Sequence, residues 1–554
     1  MSDQSDQDIL LRIRGLRIEG MSGDSWQEIV HGVDLDLRKG EVLGLIGESG
    51  AGKSTIGLAA MGYARDGCRI TGGEILFDGT DLAAAKDPEK RHIWGSRIAY
   101  VAQSAAAAFN PAHRLIDQFT EAPVQHGLSD KASSEAEARE LFARLQLPDP
   151  GGIGLRYPHQ VSGGQLQRAM TAMAMSCKPD LIIFDEPTTA LDVTTQIEVL
   201  AAIRDVVEAY NTAAIYITHD LAVVAQMADR IMVLRYGNVV EEGETRSMLA
   251  EPKETYTQDL LAVRSFKSAE MANPVGEEPL LRVDNVTAGY GDVPVLHGVS
   301  VDIHKKRTVA VVGESGSGKS TLARVITGLL PVKSGEVSYG GEILPPSYKH
   351  RSKDQLRRMQ MIYQMPDTAL NPRQRIRDII GRPVAFYLGL SGKQLEDRVR
   401  ELLSLIELEP DDYIDRLSTE LSGGQKQRIC IARALAAEPQ LIICDEVTSA
   451  LDQLVAEEIL KLLQRLQDEL DLSYMFITHD LATVRAIADE VVVMLQGKVV
   501  EHGSKTEMFK PPHHDYTDLL LSSVPEMDPD WLDKLLAERA ELAKQGRILK
   551  AADH

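Results

Sequence analysis

A set of short motifs occurs twice in this chain of 554 residues. GESGAGKST begins at Gly47 and GESGSGKST begins at Gly313, 266 residues later. Three further motif pairs (VSGGQ and LSGGQ, FDEPTTALD and CDEVTSALD, YITHD and FITHD) recur 260 residues apart. A nearly constant interval across several motifs indicates an internal duplication, and the chain is long enough for two domains with full hydrophobic cores. We therefore predict two homologous domains in tandem.

The repeat also sets the predicted domain boundaries. The first copy is expected to span residues 9–263 and the second residues 280–522. The segment between them, 264–279, is polar and contains Pro and Gly, which is typical of a linker.

The tail that follows, residues 523–554, has a helical pattern of its own. Asp528 can cap a helix, and Pro529 suits its first position. An apolar stripe then predicts a packing face; it consists of Leu532, Leu535, Leu536, Leu542 and Ala543.

Apolar runs precede several of the motifs. EVLGLIG and TVAVVG precede the two glycine-rich motifs, and LIIF and LIIC precede the Asp-Glu pairs. Runs of this kind suit parallel strands buried on both faces, and helix-rich segments lie between them, which predicts an α/β fold with a helical subdomain in each copy. VLRYGNVVEEG (233–243) and VMLQGKVVEHG (493–503) each predict a β-hairpin.

Composition narrows the possible functions. Apolar residues make up 44% of the chain and charged residues 26%, which is typical of globular proteins. The net charge of −22 argues against a nucleic-acid partner, because phosphate binding needs an accessible basic face. The start, MSDQSDQDIL, lacks the apolar core of a signal peptide, and no stretch reaches the roughly 20 apolar residues that span a bilayer. If the protein acts at a membrane, we expect other chains to cross it.

The cysteines are scattered and form no CxxC pair, so we expect neither a disulfide framework nor a cysteine-built metal site. Cys430 and Cys444 lie in apolar surroundings and are predicted to be small buried side chains. This usage indicates a reducing compartment. The other two cysteines are Cys68 and Cys177.

Each GxxxxGKST motif follows an apolar strand and opens a helix. In that context backbone N–H groups surround phosphate oxygens at the helix N-terminus, where the helix dipole also favours anions. Lys53 and Lys319 are predicted to neutralise the β- and γ-phosphates, and Ser54 and Ser320 to bind Mg²⁺. The remaining predicted phosphate-loop residues are Gly47, Ser49, Gly50, Gly52, Thr55, Gly313, Ser315, Gly316, Gly318 and Thr321.

The Asp-Glu pairs place two carboxylates at the end of a buried strand. Asp185 and Asp445 suit the Mg²⁺ shell, in part through water. Glu186 and Glu446 suit a base that orients and polarises the attacking water.

Two further polar residues follow strands in both copies. His219 and His479 each lie 34 residues after the Asp, which favours a contact with the γ-phosphate. Gln103 and Gln364 end the runs IAYVAQ and QMIYQ and are predicted to reach Mg²⁺ and the attacking water.

Taken together, these motifs resemble those of the ATP-binding-cassette (ABC) ATPases, over both copies of the repeat. The resemblance implies ATP and Mg²⁺ as cofactors, an antiparallel β subdomain beside each parallel sheet, and cassettes that pair head to tail. The Ser-Gly-Gly-Gln signature of one cassette would then cover ATP held by the other. On this basis Lys53 and Asp185 would share a site with the second signature, and Lys319 and Asp445 with the first. The two signatures are Ser162, Gly163, Gly164 and Gln165, and Ser422, Gly423, Gly424 and Gln425.

The family stacks adenine on an aromatic residue upstream of the phosphate loop. Tyr290, which precedes Gly313 by 23 residues, fits this role in the second copy. The corresponding position in the first copy is Asp24, and Trp26 is the nearest aromatic residue.

Segments outside the core motifs resemble the peptide/nickel/opine importer branch. Asn-Pro follows the strand-end Gln in QSAAAAFNPAHR (103–114) and QMPDTALNPRQR (364–375), and PKETYTQDLL (252–261) and PPHHDYTDLL (511–520) resemble the branch's C-terminal element. The resemblance implies two permease subunits, an extracytoplasmic substrate-binding protein and a peripheral location on the cytoplasmic face of the inner membrane. We further hypothesise that the helical subdomains, about 104–160 and 365–420, receive the permeases, because each follows a strand-end Gln at which contacts with ATP would move the subdomain. No cysteine follows Cys444, so we expect no iron–sulfur cluster.

Three alternatives remain open from the sequence. A tandem-cassette ATPase could act on ribosomes or nucleic acid, although the linker is short and zinc-module cysteines are absent. An exporter ATPase and a non-catalytic ATP-binding regulator are the others. The Asn-Pro and Tyr-Thr elements favour import, and two full sets of Lys, Glu and His favour catalysis. The sequence leaves the cargo open among peptides, nickel, opines and glycosides.

Overall fold

The computed structural model describes residues 8–23, 25–189, 191–262, 277–449 and 451–544. These residues form two compact units. The first contains the chain up to Ala262 together with the segment that begins at Pro525, and the second ends at Val524. The predicted linker lies largely outside the described residues, as does Asp24.

The first unit is built on a sheet with the strand order β10-β9-β3-β8-β7-β6. All neighbours are parallel except the β9–β10 hairpin, and every residue of β3, β7 and β8 is buried. The predicted apolar strands and the first predicted hairpin are thus confirmed. The strands are β3 (Val42–Ile46), β6 (Ile98–Val101), β7 (Leu181–Asp185), β8 (Ala213–Ile217), β9 (Arg230–Arg235) and β10 (Asn238–Glu244).

A second sheet in this unit is antiparallel and has the order β2-β1-β4-β5. Burial alternates along much of β4, as expected for a sheet with one face on the core. Its strands are β1 (Ile9–Ser22), β2 (Ser25–Arg38), β4 (Cys68–Phe77) and β5 (Thr80–Asp81).

Helices cover the parallel sheet, and α3 to α5 form the predicted helical subdomain between β6 and β7. Its interior includes Phe119 and Phe142, whose rings meet edge to face at 5.8 Å. The helices are α1 (Lys53–Ala60), α2 (Asp87–Ile93), α3 (Ala105–Ala108), α4 (Leu115–Gln125), α5 (Lys131–Arg144), α6 (Gly163–Ala174), α7 (Val193–Tyr210), α8 (Leu221–Ala225), α9 (Thr245–Ala250) and α10 (Thr255–Ala262).

The second unit repeats this architecture, with the sheet orders β16-β17-β18-β13-β19-β20 and β12-β11-β14-β15. The second predicted hairpin, β19–β20, is confirmed. The strands are β11 (Leu281–Tyr290), β12 (Val293–Ile303), β13 (Thr308–Val312), β14 (Ser334–Tyr339), β15 (Glu342–Ile343), β16 (Met359–Ile362), β17 (Leu441–Asp445), β18 (Ser473–Ile477), β19 (Glu490–Leu495) and β20 (Lys498–Ser504). The helices are α11 (Lys319–Ile326), α12 (Lys353–Arg358), α13 (Pro366–Ala369), α14 (Ile376–Pro383), α15 (Gly392–Leu405), α16 (Pro410–Tyr413), α17 (Gly423–Leu435), α18 (Gln453–Leu470), α19 (Leu481–Ile487), α20 (Lys505–Met508) and α21 (Asp515–Ser522).

The C-terminal helix α22 (Trp531–Lys544) belongs to the first unit, although it follows the second repeat in the chain. It begins two residues later than the sequence predicts. The Asp528 carboxylate accepts a hydrogen bond from the Asp530 N–H, and the Asp528 carbonyl accepts one from the Trp531 N–H. Pro529 therefore lies in a turn before the helix.

The contact of this segment with the first unit is centred on Gln226, just after α8. The Gln226 Nε2 donates to the carbonyls of Glu526 (2.9 Å) and Asp528 (3.0 Å), and its Oε1 accepts from the Leu532 N–H (3.0 Å). The apolar stripe packs as predicted at its first positions, since Leu532 and Leu535 are buried together with Trp531. Ala543, also predicted for the stripe, is exposed.

Within the described residues, no helix combines the length and the apolar character needed to cross a bilayer. Cys430 and Cys444 are buried thiols, as predicted.

Candidate functional site

The strand order brings the predicted site residues of each unit to one edge of a sheet. In the first unit β6, β7, β8 and β3 are parallel neighbours, so their carboxyl ends face the same way. Gln103 follows β6, Asp185 ends β7, His219 follows β8 and the glycine-rich loop follows β3. Crevices at the carboxyl ends of parallel strands are common ligand sites in α/β sheets.

The glycine-rich loop holds its lysine within its own backbone. The Lys53 Nζ donates to the carbonyl oxygens of Gly47 (2.7 Å) and Glu48 (2.8 Å). Gly52, with φ 95°, precedes α1 and offers no side-chain cap, so the first N–H groups of the helix stay available for an anion. A Cβ added at Gly50 would meet no atom within 4 Å, which leaves open space over the loop. Lys319 is held in the same way by Gly313 and Glu314, both at 2.7 Å.

The remaining hydroxyl side chains predicted for these loops are exposed in the loop itself and buried in the helix that follows. Ser49 and Ser315 are exposed at the loop, whereas Thr55 and Thr321 are buried in the first turns of α1 and α11. Each loop therefore presents backbone N–H groups, a lysine and a serine hydroxyl, a donor set that fits a nucleoside triphosphate.

An aspartate and a serine from separate elements meet in each unit. The Ser54 Oγ donates to Asp185 Oδ1 at 2.8 Å, and the Ser320 Oγ donates to Asp445 Oδ1 at 3.0 Å. Burial raises the pKa of the Asp445 carboxyl, although the Ser320 hydrogen bond and the Lys319 charge oppose this. A hydroxyl beside a carboxylate is an oxygen pair that fits Mg²⁺.

A tyrosine that the sequence reasoning missed also contacts the first of these aspartates. The Tyr100 hydroxyl donates to Asp185 Oδ2 at 2.6 Å, and burial together with this bond raises the pKa of Tyr100. Tyr100 pairs with Ile183 across β6 and β7, and its counterpart on β16 is Met361. The signal in the sequence was a Tyr three residues before Gln103 that the second copy lacks.

The predicted base lies between the glutamine and the histidine. In the first unit Gln103 Nε2 donates to Glu186 Oε2 (3.0 Å), and His219 Nδ1 lies 3.1 Å from Glu186 Oε1. Burial alone would raise the pKa of Glu186, but the hydrogen bond with His219 and the charges of His219 and Lys53 bring it below its ordinary value. The same interaction raises the pKa of His219 despite burial, so the two groups favour the ionic pair.

The second unit repeats this arrangement. Gln364 Nε2 donates to Glu446 Oε2 at 2.5 Å, and His479 Nδ1 lies 3.5 Å from Glu446 Oε1. Both glutamates have left-handed backbone angles, with φ 48° at Glu186 and φ 51° at Glu446. A residue other than glycine is strained there, and such strain is concentrated at functional sites.

The two Ser-Gly-Gly-Gln signatures open helices α6 and α17. In α6 the Ser162 Oγ accepts from the Gln165 N–H (3.4 Å), and the Gln165 Oε1 accepts from the Ser162 N–H (3.2 Å). Ser422 and Gln425 form the same capping box. The serine and glutamine therefore fix the helix start, and the backbone there faces outward with a favourable dipole for an anion.

The two glycines of each signature have different surroundings. A Cβ at Gly164 would come within 2.2 Å of the Thr195 Cγ2 on α7, and at Gly424 within 2.5 Å of a Val455 methyl on α18. At Gly163 and Gly423 the nearest atoms would be 3.9 Å and 3.7 Å away. The second glycine lets two helices pack closely, whereas the first leaves the helix start uncovered.

The aromatic residues considered for adenine binding are partly exposed. Tyr290 ends β11, is 45% exposed and accepts a hydrogen bond from Arg324 at 2.7 Å. Trp26 is 38% exposed, and the Arg69 guanidinium lies 4.2 Å from its ring centroid. A cation therefore already covers one face of Trp26.

Comparison with known proteins adds to this geometry. The chain matches the ABC transporter family over residues 30–189 and 296–449. It belongs to the ABC transporter ATPases. Members of this family hydrolyse ATP. The chain also matches the oligopeptide/dipeptide transporter C-terminal region over residues 500–548.

The chain is also similar to individual curated proteins and solved structures. The chain is 35% identical to the glutathione import ATP-binding protein GsiA of Salmonella choleraesuis, covering 95% of this chain and 91% of the relative, and equally similar to that of Escherichia coli O157:H7. Among solved structures, cbiO1 from Clostridium perfringens matches 42% of this chain and 91% of its own, at 30% identity and a TM-score of 0.39.

Proposed function

We propose that this chain energises an importer for peptides or related small solutes by hydrolysing ATP at two sites. The observation that carries the proposal is the complete carboxylate, glutamine and histidine array at both repeated sheet edges. The similarity to glutathione import proteins over nearly the whole chain supports the importer assignment.

The contacts suggest a division of labour at each site. Ser54, Asp185 and Gln103 would hold Mg²⁺, which when bound neutralises charge on the phosphates. Lys53 would exchange its loop carbonyls for phosphate oxygens. Glu186 would orient and polarise the attacking water, and His219 would contact the γ-phosphate. The second site would use Ser320, Asp445, Gln364, Lys319, Glu446 and His479, with Tyr290 against adenine.

The signatures support composite sites. Each phosphate loop covers one side of ATP, and the open helix starts at Gly163 and Gly423 could cover the other. In this arrangement the second signature completes the Lys53 site and the first signature completes the Lys319 site.

Paired substitutions test this arrangement. Ser422→Arg combined with Lys53→Ala should leave one intact composite site and about half of the ATPase activity. Ser422→Arg combined with Lys319→Ala should damage both sites and lose nearly all activity. If the second combination proves the milder one, each signature serves its own cassette.

The proposed partners are two permease subunits and an extracytoplasmic substrate-binding protein, with this chain on the cytoplasmic face of the inner membrane. The helical subdomains would receive the permeases, because each follows a glutamine that contacts the base. Cysteines placed near Phe109 and Leu370 should crosslink to the permeases in the assembled complex. An absence of adducts from both positions would remove this part of the proposal.

Reconstitution separates the importer from the ribosome- or nucleic-acid-acting alternative. The full chain, assembled with its permeases and binding protein in liposomes, should show ATP-dependent uptake of glutathione or short peptides. Glu186→Gln combined with Glu446→Gln is the matched control and should abolish uptake while the complex still assembles. Copurification with ribosomes and no uptake of any tested solute would favour the alternative.

A further inference from the structure

A short helix follows the last hairpin of each unit at equivalent positions. These helices, α10 and α21, contain Tyr256 and Tyr516, which lie 260 residues apart. Both tyrosines are buried, with 6% and 5% of their surface exposed. They belong to the Tyr-Thr elements, to which the nucleotide chemistry described above assigns no role.

Both tyrosine hydroxyls reach the phosphate loop of their own unit. The Glu48 N–H donates to the Tyr256 hydroxyl at 3.3 Å, and the Glu314 N–H donates to the Tyr516 hydroxyl at 2.7 Å. The carbonyl of the same glutamate accepts the hydrogen bond of Lys53 or Lys319. One loop residue therefore connects each tyrosine to the lysine that would face the phosphates.

The start of each helix is itself anchored to the central sheet. The Glu241 carboxylate, on β10, accepts hydrogen bonds from the Lys253 and Glu254 N–H groups. The equivalent Glu501, on β20, accepts one from the His514 N–H at 3.0 Å. The hairpin thus fixes the helix, and the helix fixes the tyrosine.

We infer that Tyr256 and Tyr516 are positioning residues of the two nucleotide sites. Each holds the loop peptide at Glu48 or Glu314, and through it the carbonyl that the lysine must leave when a nucleoside triphosphate binds. The Tyr-Thr element is in this way part of the nucleotide site, in addition to any role in transport. Because its hydrogen bond is shorter, Tyr516 has the larger effect.

Removal of one hydroxyl tests the inference. Tyr516→Phe in a Lys53→Ala background should raise the dissociation constant for Mg-ATP roughly threefold to tenfold, the range expected for one hydrogen bond. Tyr256→Phe in a Lys319→Ala background should raise it less. In the otherwise wild-type chain, Tyr516→Phe should raise KM for ATP more than it lowers kcat.

Tyr474→Phe is the matched control. The Tyr474 hydroxyl is equally buried and donates to the Leu463 carbonyl at 2.9 Å, away from the phosphate loop. This variant should lower the unfolding temperature about as much as Tyr516→Phe and leave ATP binding unchanged. Equal ATP dissociation constants for the two variants would overturn the inference.

Hydrogen exchange provides a readout that does not depend on nucleotide. The Glu314 amide should exchange faster in Tyr516→Phe than in the wild-type chain, whereas Tyr474→Phe should not change it. Unchanged exchange at Glu314 would also overturn the inference. If Tyr516→Phe does not fold, exchange of the Glu48 amide is compared between Tyr256→Phe and the wild-type chain, and unchanged exchange there would overturn the inference.

Discussion

At the residue scale, the two sheet edges share a plan and differ in the contacts of the aspartate. Glu186 and Glu446 each have a strained left-handed backbone, a hydrogen bond from a glutamine of their own unit and a histidine partner. Asp185 has both carboxylate oxygens engaged, one by Ser54 and one by Tyr100, whereas no hydroxyl from β16 reaches Asp445 because Met361 stands there. We expect the shared contacts to determine ATP hydrolysis at both sites and the Tyr100 contact to affect cation binding at the first site alone.

The shared glutamates yield the first prediction. Glu186→Gln combined with Glu446→Gln should lower ATP hydrolysis about a hundredfold or more, because an amide cannot take up a proton from water. Each single variant should lower it partially, and ATP binding should persist in all of them. Steady-state hydrolysis and equilibrium nucleotide binding check this, with the exposed Glu208→Gln on α7 as control. Full activity in either single variant would contradict equal roles for the two sites.

The contact at Tyr100 yields the second prediction. Tyr100→Phe frees one oxygen of Asp185 to rotate, so the oxygen pair with Ser54 is less ordered before the cation arrives. Nucleotide-dependent Mn²⁺ binding at the first site should weaken roughly threefold to tenfold, as measured by electron paramagnetic resonance in a Lys319→Ala background. Met361→Phe, tested at the second site in a Lys53→Ala background, should leave Mn²⁺ binding unchanged. Equal or tighter binding after Tyr100→Phe would show that the hydroxyl does not order the aspartate.

At the element scale, the signature helices combine a capping box with a close helix contact. Gly164 lies against Thr195 of α7, whereas a Cβ at Gly163, one residue nearer the helix start, would meet only the Leu191 Cδ2, at an ordinary contact distance of 3.9 Å. Adjacent glycines in one motif therefore have separate reasons to lack a side chain.

These neighbours yield a third prediction. Gly164→Ala forces a methyl group onto the Thr195 Cγ2 and should destabilise the first unit by about 1–3 kcal/mol in denaturant unfolding. Thr195→Ser removes that methyl and keeps the hydroxyl, so it should restore much of the stability. Gly163→Ala is the matched control and should fold normally while weakening ATP hydrolysis. Equal destabilisation by the two alanine substitutions would contradict the packing argument.

The type and position of most of these strands and hairpins could be predicted from the sequence, because the duplication and the local residue pattern indicate the same elements in both copies. The strands that end at Asp185 and Asp445 are uniform apolar runs, and each hairpin turns at a glycine, Gly237 or Gly497. Tyr100 was missed because its role depends on the neighbouring strand that brings Asp185 opposite its hydroxyl. The start of α22 was placed two residues too early, since the turn at Asp528 competes with the helix for the same backbone groups.

At the scale of the whole molecule, the docking of the C-terminal segment distinguishes the two repeats. Gln226 contacts this segment through both ends of its amide, and Arg204 and Arg246 form ion pairs with Asp533 and Asp530. The equivalent positions in the second repeat are occupied by Ala486, Gln464 and Thr506. The sequence therefore did contain a signal for this docking, because the two copies differ at these positions. The signal lies about 300 residues before the segment that docks there.

This docking yields the fourth prediction. Removal of residues 525–554 exposes the surface beneath Trp531, Leu532 and Leu535 and leaves the Gln226 amide without those partners. The free energy of unfolding of the first unit should fall by several kcal/mol, because burial contributes about 1.5–3 kcal/mol for each apolar side chain. Hydrogen exchange should accelerate in α8 of the first unit and stay unchanged in α19 of the second. Ala537→Ser, on the exposed face of α22, is the control, and unchanged exchange in α8 would contradict the prediction.

The docking of α22 also bears on the order in which the protein is made. Synthesis proceeds from the amino terminus, so Gln226 leaves the ribosome about 300 residues before the backbone groups that satisfy its amide. The first cassette is thus the earliest to be synthesised and the last to be completed. A chain released prematurely, even one that contains every motif of both cassettes, retains an unfinished surface on its first cassette. Completion of that surface therefore marks a chain that has been translated through α22.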